Sequence, residues 1–573
     1  MHWEEDEGAI AETWSPAGLE RVMGVEVVAL RAELEERLGL TDSATLARRT
    51  GERDRHMLVL YGAYGNVPLW LDEDGLRERT HELVNALEYA HTDGLRIDAY
   101  PIAELRRTLG ALRETDAPTA EQLVEADLLL TSAYVALGTD MFTGQIDPRS
   151  VSQGWHIDAQ EMDVDSALVR TLRMEPLDRG IARMRPQREE FDELRRMLER
   201  YREIAAAGGW PTVPEGEVLE PGDTAAVPRL EALLARLRVE EYVDDGVRAT
   251  PLRDSTGQEI DRAVYDAQIA GAVARFQARH SIVVDSILGG GTLASLNTSA
   301  EFRLRQIAAN LERYRWLPRQ LGDRYVFVNV PAFRLEAYDG GEPVLDMKVI
   351  VGSEYDDRST PAFSDSMSYV VFRPYWNVPK NIALDEILPK AQADPGYMAR
   401  NGYEVVRGQS ERAPVLGQYA PSWSAIESGA QRIRQRPGGE NSLGLVKFMF
   451  PNDFAIYLHD TPAQGLFERD VRAFSHGCIR VEQPARLAQY VLGWDLPRIE
   501  AAMASGPNAQ QVTLERKIPV YIMYLTTFVR DGELHFGNDL YRRDETLARA
   551  VAGAAMPDEA ALVEVRALRE VVE

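Results

Sequence analysis

Cys478 is the only cysteine in 573 residues, and it sits in Ser475-His476-Gly477-Cys478-Ile479-Arg480-Val481. Nineteen positions upstream a second histidine, His459, stands between Tyr457-Leu458 and Asp460-Thr461-Pro462. A lone thiol makes no internal disulfide and gives a zinc site at most one sulfur ligand, which leaves an inert buried thiol or a nucleophile. Two of only nine histidines lie within nineteen residues of it, which favours the nucleophile. The thiolate is the attacking species, and a neighbouring imidazole can take the thiol proton. Strand alternation would put His476 and Cys478 on one side, and His459, ending the preceding strand, would reach the same thiol from a neighbour. Gly477 lets the backbone N–H groups beside the sulfur approach a substrate carbonyl and hold its oxyanion. Nucleophile, base and donor together describe an acyl-transfer site. The competing reading is a core cysteine beside incidental histidines. Zinc would have only the two histidines, Cys478 and Asp460 to draw on, without a familiar ligand spacing, so the reading includes no metal and no cofactor.

The elements that must position these residues are β-rich. After a helix over Arg303–Arg315 the pattern changes to period two, with strands expected at Tyr325–Val330, Phe333–Tyr338 and Val344–Val351 and a hairpin turn at Asp339-Gly340-Gly341-Glu342. Ser368–Phe372, Phe454–Leu458 and Val520–Val529 continue the strands. Between the fourth and fifth lies an insertion over 373–446, carrying Trp376, Trp423, short helical pieces and the arginine-rich Arg432–Arg436. A segment that long inside a sheet is usually a lid or a binding element.

Upstream the chain reads as helical. Glu26–Leu38, Leu76–Ala90, Ile102–Glu114, Ala120–Leu137 and Glu189–Ala207 place apolar residues at three- and four-residue spacing, with Gly or Pro near the ends. His56, His81, His91 and His156 are scattered there and read as surface or capped histidines. The Pro- and Gly-rich stretch Trp210–Gly222 reads as a linker. A compact unit follows over Asp223–Thr298, with helices at Val227–Leu237 and Ala263–His280 and a polar loop at Tyr242–Glu259 between them. Its Gly289–Gly291 run lacks the Lys-Ser/Thr of a phosphate loop. The expected architecture is multidomain α+β: a helical scaffold at 1–220, a small helical unit at 221–299, a β-rich domain at 300–540 and a C-terminal helical tail at 541–573.

A formal charge of −27 and a pI near 4.9 argue against nucleic acid as a partner, which needs a basic face. No apolar run of about eighteen residues is present, and the start, Met1-His-Trp-Glu-Glu-Asp-Glu, has neither a basic n-region nor an apolar h-region.

His459, followed after fifteen residues by Ser475-His-Gly-Cys-Ile-Arg480, resembles the signature of the L,D-transpeptidases with a YkuD-type catalytic domain. The wider string His459-Asp-Thr-Pro, Leu466-Phe467 and Arg469-Asp-Val-Arg-Ala-Phe474 resembles the large Gram-negative YcbB-like branch. Arg373-Pro-Tyr-Trp-Asn-Val-Pro379 is similar to the start of that branch's substrate-capping insertion, and Tyr61–Asp72 to its N-terminal scaffold. Ala272–Gln277 with Thr292–Asn297 is similar to a peptidoglycan-binding domain, although His280-Ser-Ile and Asp285-Ser-Ile-Leu-Gly depart from the usual glycine-bearing strings, so a spacing or docking role competes with glycan binding.

The resemblance implies Cys478 as nucleophile and His459 as its base, the base oriented by the Asp460 backbone carbonyl. His476 would shape the site, the Gly477 and Cys478 N–H groups would form the oxyanion hole, and Tyr457 and Trp376 would line the pocket. Arg480 would pair with a peptide carboxylate or make an internal salt bridge. The implied reaction is 3→3 cross-linking of peptidoglycan: Cys478 attacks a tetrapeptide stem, expels the terminal D-Ala, and passes the thioester's acyl group to an amine of a neighbouring stem. Water in place of the amine would make the enzyme an L,D-carboxypeptidase or amidase, and a non-catalytic wall-binding scaffold is the third reading. Implied partners are peptidoglycan stem peptides and the synthases that supply glycan strands. The implied compartment is the periplasm, with a signal or anchor outside the given sequence, and carbapenems are the implied inhibitors.

Overall fold

A computed structural model describes residues 18–40, 51–152, 154–157, 164–354, 358–408, 413–417 and 422–573. The C-terminal part of the chain is organised, among the described residues, by one sheet of ten strands. In chain order these are β1 (Trp155–His156), β2 (Arg324–Asn329), β3 (Arg334–Asp339), β4 (Glu342–Gly352), β5 (Ala362–Phe372), β6 (Val446–Met449), β7 (Leu458–His459), β8 (Ala473–Ser475), β9 (Ile479–Val481) and β10 (Gln510–Met523). Nine of them run in the order β3-β2-β10-β5-β6-β7-β9-β4-β8, β1 pairs parallel with β5 off this path, and a further β3–β4 pairing closes the circuit. Closure lets Val326, Val328, Leu335, Val349, Val370, Phe448, Ile479 and Ile522 share one fully enclosed core and removes long open edges. The helix Ala300–Arg315, capped by the Ser299 hydroxyl on the Phe302 N–H, packs on that core beside Glu189–Ala206.

Three expected strands differ in extent, the one expected at Ser368–Phe372 starting earlier, at Ala362. Of Phe454–Leu458 only Leu458 belongs to a strand, because Ala455 turns into the left-handed region (φ 53°) and Asn452 holds the turn through the Phe454 and Ile456 N–H groups. Val520–Val529 is broken after Met523; Thr527–Arg530 starts a separate hairpin with Glu533–Phe536.

The insertion is more than a loop. Trp376–Asn377, Arg432–Gln435, Tyr403–Val406 and Val415–Gly417 make a four-stranded sheet, and Val378, Ile382, Ile387, Val405 and Ile433 form its own small core. The unit around residues 213–296 also carries strands: Pro251–Arg253, inside the expected polar loop, pairs as a hairpin with Glu259–Val264, joined by Thr224–Ala225, so the helix expected from Ala263 starts at Ala267.

The N-terminal helices form a separate core around Ala120–Thr143, which opens with a Thr119/Gln122 capping box. Its buried Asp127 accepts from the Leu69 and Trp70 N–H groups and the Tyr61 hydroxyl, fixing the Tyr61–Asp72 segment to the helix. His56 is buried and paired with Asp165 at 2.5 Å rather than lying at the surface. The C-terminal segment is not a free tail. Glu559–Val572 places Leu562, Val565, Leu568 and Val572 in the N-terminal core, against Ile102–Arg113 and Glu78–Tyr89. Among the described residues no helix is long and apolar enough to cross a membrane.

Candidate active site

The sheet brings the two sequence-distant residues together. β7 runs parallel to β9 with His459 opposite Arg480, so the imidazole and the guanidinium share a face, and Cys478 stands two residues before Arg480. The His459 Nδ1–H donates to the Asp460 carbonyl at 2.5 Å, which leaves Nε2 as the ring's acceptor. Burial, reinforced by the Arg480 charge, pushes the His459 pKa down to about 3, so the imidazole is neutral at neutral pH. Burial likewise raises the Cys478 thiol, opposed by hydrogen bonds from Tyr457 and by the charges of Arg480 and Lys447. The resting pair is therefore thiol and neutral imidazole.

Cys478 is half-buried, its sulfur 3.7 Å from the Ala455 carbonyl at the left-handed turn before β7. The Tyr457 ring lies 5.7 Å from the His459 ring, with Lys447 Nζ 5.9 Å from its centroid.

The backbone around Gly477 differs from a continuous strand. Residues 476–478 lie between β8 and β9, and Gly477 has φ 109°, so the two-residue alternation linking His476 to Cys478 does not run through it. A side chain at that φ would be strained, which explains the glycine. The Gly477 N–H donates to Ser475 Oγ at 3.1 Å, and Ser475 Oγ–H donates to the Cys478 carbonyl at 2.5 Å. Thr360 Oγ1–H holds the Gly477 carbonyl at 2.9 Å. The Gly477 N–H is thus spent within the loop, and the Cys478 N–H is the one of the expected pair with no acceptor among the described residues.

His476 turns to the insertion, where its Nε2–H donates to Glu386 Oε1 at 2.6 Å. Arg480 makes no ion pair among the described residues, and its Nε is buried without a hydrogen-bond acceptor. Asp460 directs its carboxylate away from the histidine, to the Leu445 N–H at 2.8 Å and the Thr461 N–H at 2.7 Å. Trp376 makes its contacts within the insertion, 6.4 Å from the Tyr403 ring and against the insertion's core. Glu386, Thr360 and the Ala455 carbonyl escaped sequence reading: one lies ninety positions from its partner, and the others act through ordinary backbone or hydroxyl groups.

Comparison with known proteins bears on the chemistry. Residues 323–522 match the family described as the L,D-transpeptidase catalytic domain, YkuD, and residues 55–198 match a family described as a scaffold domain. A curated Haemophilus influenzae protein described as "Putative L,D-transpeptidase" is 34% identical over 255 residues, 44% of this chain and 50% of that protein. The chain therefore spans about half the length of that relative. A solved L,D-transpeptidase structure (residues 123–326) from Xylanimonas cellulosilytica is 14% identical, covers 54% of this chain and 99% of its own, and superposes with a TM-score of 0.15. Residues 323–522 are an L,D-transpeptidase catalytic domain of the YkuD family, joined in this chain to a scaffold domain over residues 55–198.

Proposed function

We propose that this chain forms 3→3 cross-links in peptidoglycan through a thioester on Cys478. The observation that carries the reading is the orientation of His459: with Nδ1–H committed to the Asp460 carbonyl, Nε2 is the lone-pair nitrogen, on the strand position opposite Arg480 and so two residues from Cys478. In the acylation step Cys478 Sγ bonds to the carbonyl carbon of the third stem residue as its proton passes to His459 Nε2. The Cys478 N–H, which has no acceptor among the described residues, meets the developing oxyanion. Collapse breaks the peptide bond, and the His459 proton goes to the departing D-Ala amine.

Arg480 has a role in this cycle beyond binding. Its charge lowers both the base and the nucleophile. A stem-peptide carboxylate paired with it would relieve the depression of His459, so the base strengthens when substrate arrives. The insertion reaches the loop before Cys478 through Glu386, and seated over the thioester it would exclude the water that otherwise hydrolyses it. Such exclusion would favour transfer to an amine over transfer to water. A peptidoglycan substrate would put the enzyme outside the cytoplasm, and the resemblance to the YcbB-like branch points to the periplasm, with glycan-strand synthases as its suppliers.

Two measurements test this. Mass spectrometry after incubation with a carbapenem is expected to show one adduct, on Cys478, absent from Cys478→Ser; no adduct on the wild-type chain would sink the cysteine mechanism. Disaccharide-tetrapeptide as sole substrate is expected to yield dimers, whereas tripeptide alone would establish the hydrolase.

A further inference from the structure

The insertion touches the nucleophile loop through one carboxylate. The helical run 380–393 widens into a π-turn at Ala383–Ile387. Pro389 explains the widening: it has no N–H to offer the Asp385 carbonyl, and its ring would crowd that oxygen in a regular α-turn. Ala383 and Ile387 remain buried in the insertion's core, while Glu386 between them is turned out toward the catalytic domain. There Glu386 Oε1 accepts from His476 Nε2 at 2.6 Å and lies 3.6 Å from Arg358 Nη1.

Both partners belong to the frame around Gly477. A Cβ built on Gly477 would lie 3.7 Å from the Arg358 carbonyl and 3.9 Å from that of Ser359, and Thr360 holds the Gly477 carbonyl. One carboxylate of the insertion therefore spans the two segments, 358–360 and 475–478, whose packing fixes the conformation at Gly477 and aims the Cys478 N–H.

We propose that Glu386 is a positioning residue for the nucleophile loop, acting through His476, so that seating of the insertion and ordering of Gly477-Cys478 are one event. Glu386 touches neither sulfur nor base; it holds the His476 ring with Nε2 protonated, and the ring holds the loop. The inference rests on the transpeptidase reading for its kinetic consequence but not for its structural one.

The test uses the full chain. Glu386→Ala is expected to slow carbapenem acylation of Cys478 by about ten- to a hundredfold, as loss of alignment does, with little change in the concentration giving half-maximal rate. Glu386→Gln retains an acceptor oxygen and is expected to recover most of that rate. In a His476→Asn background, Glu386→Ala is expected to cost nothing further, because both changes break one linkage. A full, additive loss in that background, or wild-type acylation in Glu386→Ala, would overturn the proposal. Imidazole 15N spectra decide independently of turnover: His476 should show Nε2–H in the wild type and lose that signature in Glu386→Ala. If the wild-type chain were not acylated at all, the enzyme reading would fall, while an unchanged His476 spectrum in Glu386→Ala would refute the linkage itself.

Discussion

His459 is oriented by the backbone of its own neighbour: its Nδ1–H donates to the Asp460 carbonyl at 2.5 Å, while the Asp460 carboxylate faces the Leu445 and Thr461 N–H groups. The imidazole is held by an oxygen that no side-chain substitution removes. Adjacency of a histidine and an aspartate along the chain thus does not make a carboxylate-imidazole pair here.

Asp460→Asn should consequently spare catalysis. One of the two backbone bonds to the carboxylate is lost, a destabilisation of about 1 kcal/mol, while carbapenem acylation stays near the wild-type rate. His459→Ala is expected to lose ~10²–10⁴-fold. Stopped-flow acylation of both variants beside their melting curves checks this, and equal inactivation of the two would make the carboxylate a catalytic partner.

The buried imidazole also sets a pH dependence of stability. The folded pKa is about 3 and the unfolded one is about 6.5, so between these values the unfolded chain binds the extra proton. Stability therefore rises with pH through that window, is fully present above it, and is lost on acidification. His535, lowered by burial to about 4, adds in the same direction. Between pH 7.5 and pH 5 the His459 contribution amounts to about 2 kcal/mol. Urea unfolding at the two pH values should show His459→Gln losing less than the wild type by that amount. Parallel losses would mean that His459 is solvated in the folded protein.

Legibility followed sequence distance and group type. The helices at 102–113, 189–206 and 227–239 and the strands at 324–329 and 334–339 were legible because periodicity is local. The insertion's sheet was not, since two of its three strand pairings span about thirty residues or more and its strands are only two to four residues long. Cys478 and His459 were legible as a rare residue type beside a recognisable string. The turn at Gly477 and the Glu386–His476 contact were not: the first is a backbone dihedral inside what reads as a strand, and the second depends on a π-turn that brings residues ninety positions apart together.

Arg480 offers a sharper division of effects. Its guanidinium faces the thiol without an ion-pair partner among the described residues, so a donor carboxylate is its natural ligand. Arg480→Met should raise the KM for a tetrapeptide donor by about ten- to a hundredfold, the worth of a charge-assisted bond. Burial would still depress His459, but the same change should remove the added push of the Arg480 charge and raise its pKa, visible as a ring titration whose midpoint moves to higher pH. Unchanged KM with a collapsed fold would assign Arg480 to structure alone.

The C-terminal helix makes the last case, because its place in the fold contradicts its place in the chain. Glu559–Val572 starts at an Asp558 cap, buries Leu568 completely in the N-terminal core, and is pinned by Arg106 to Glu564 at 2.9 Å and Arg569 to Glu88 at 3.4 Å. Just before it, the Ala554 and Ala555 carbonyls accept from Arg202 on the helix that packs against the catalytic core. The exposed ion pairs add little; the leucine dominates. Leu568→Ala should destabilise the N-terminal core by about 2–5 kcal/mol through lost burial and the cavity left behind. The catalytic core, which shares no side chain with that site, should melt as before. Calorimetry is then expected to show one transition moving down and one standing still, with Cys478 acylation unchanged at 25 °C. A single transition shifting as a whole would mean that the Arg202 linkage fuses the two cores into one cooperative unit.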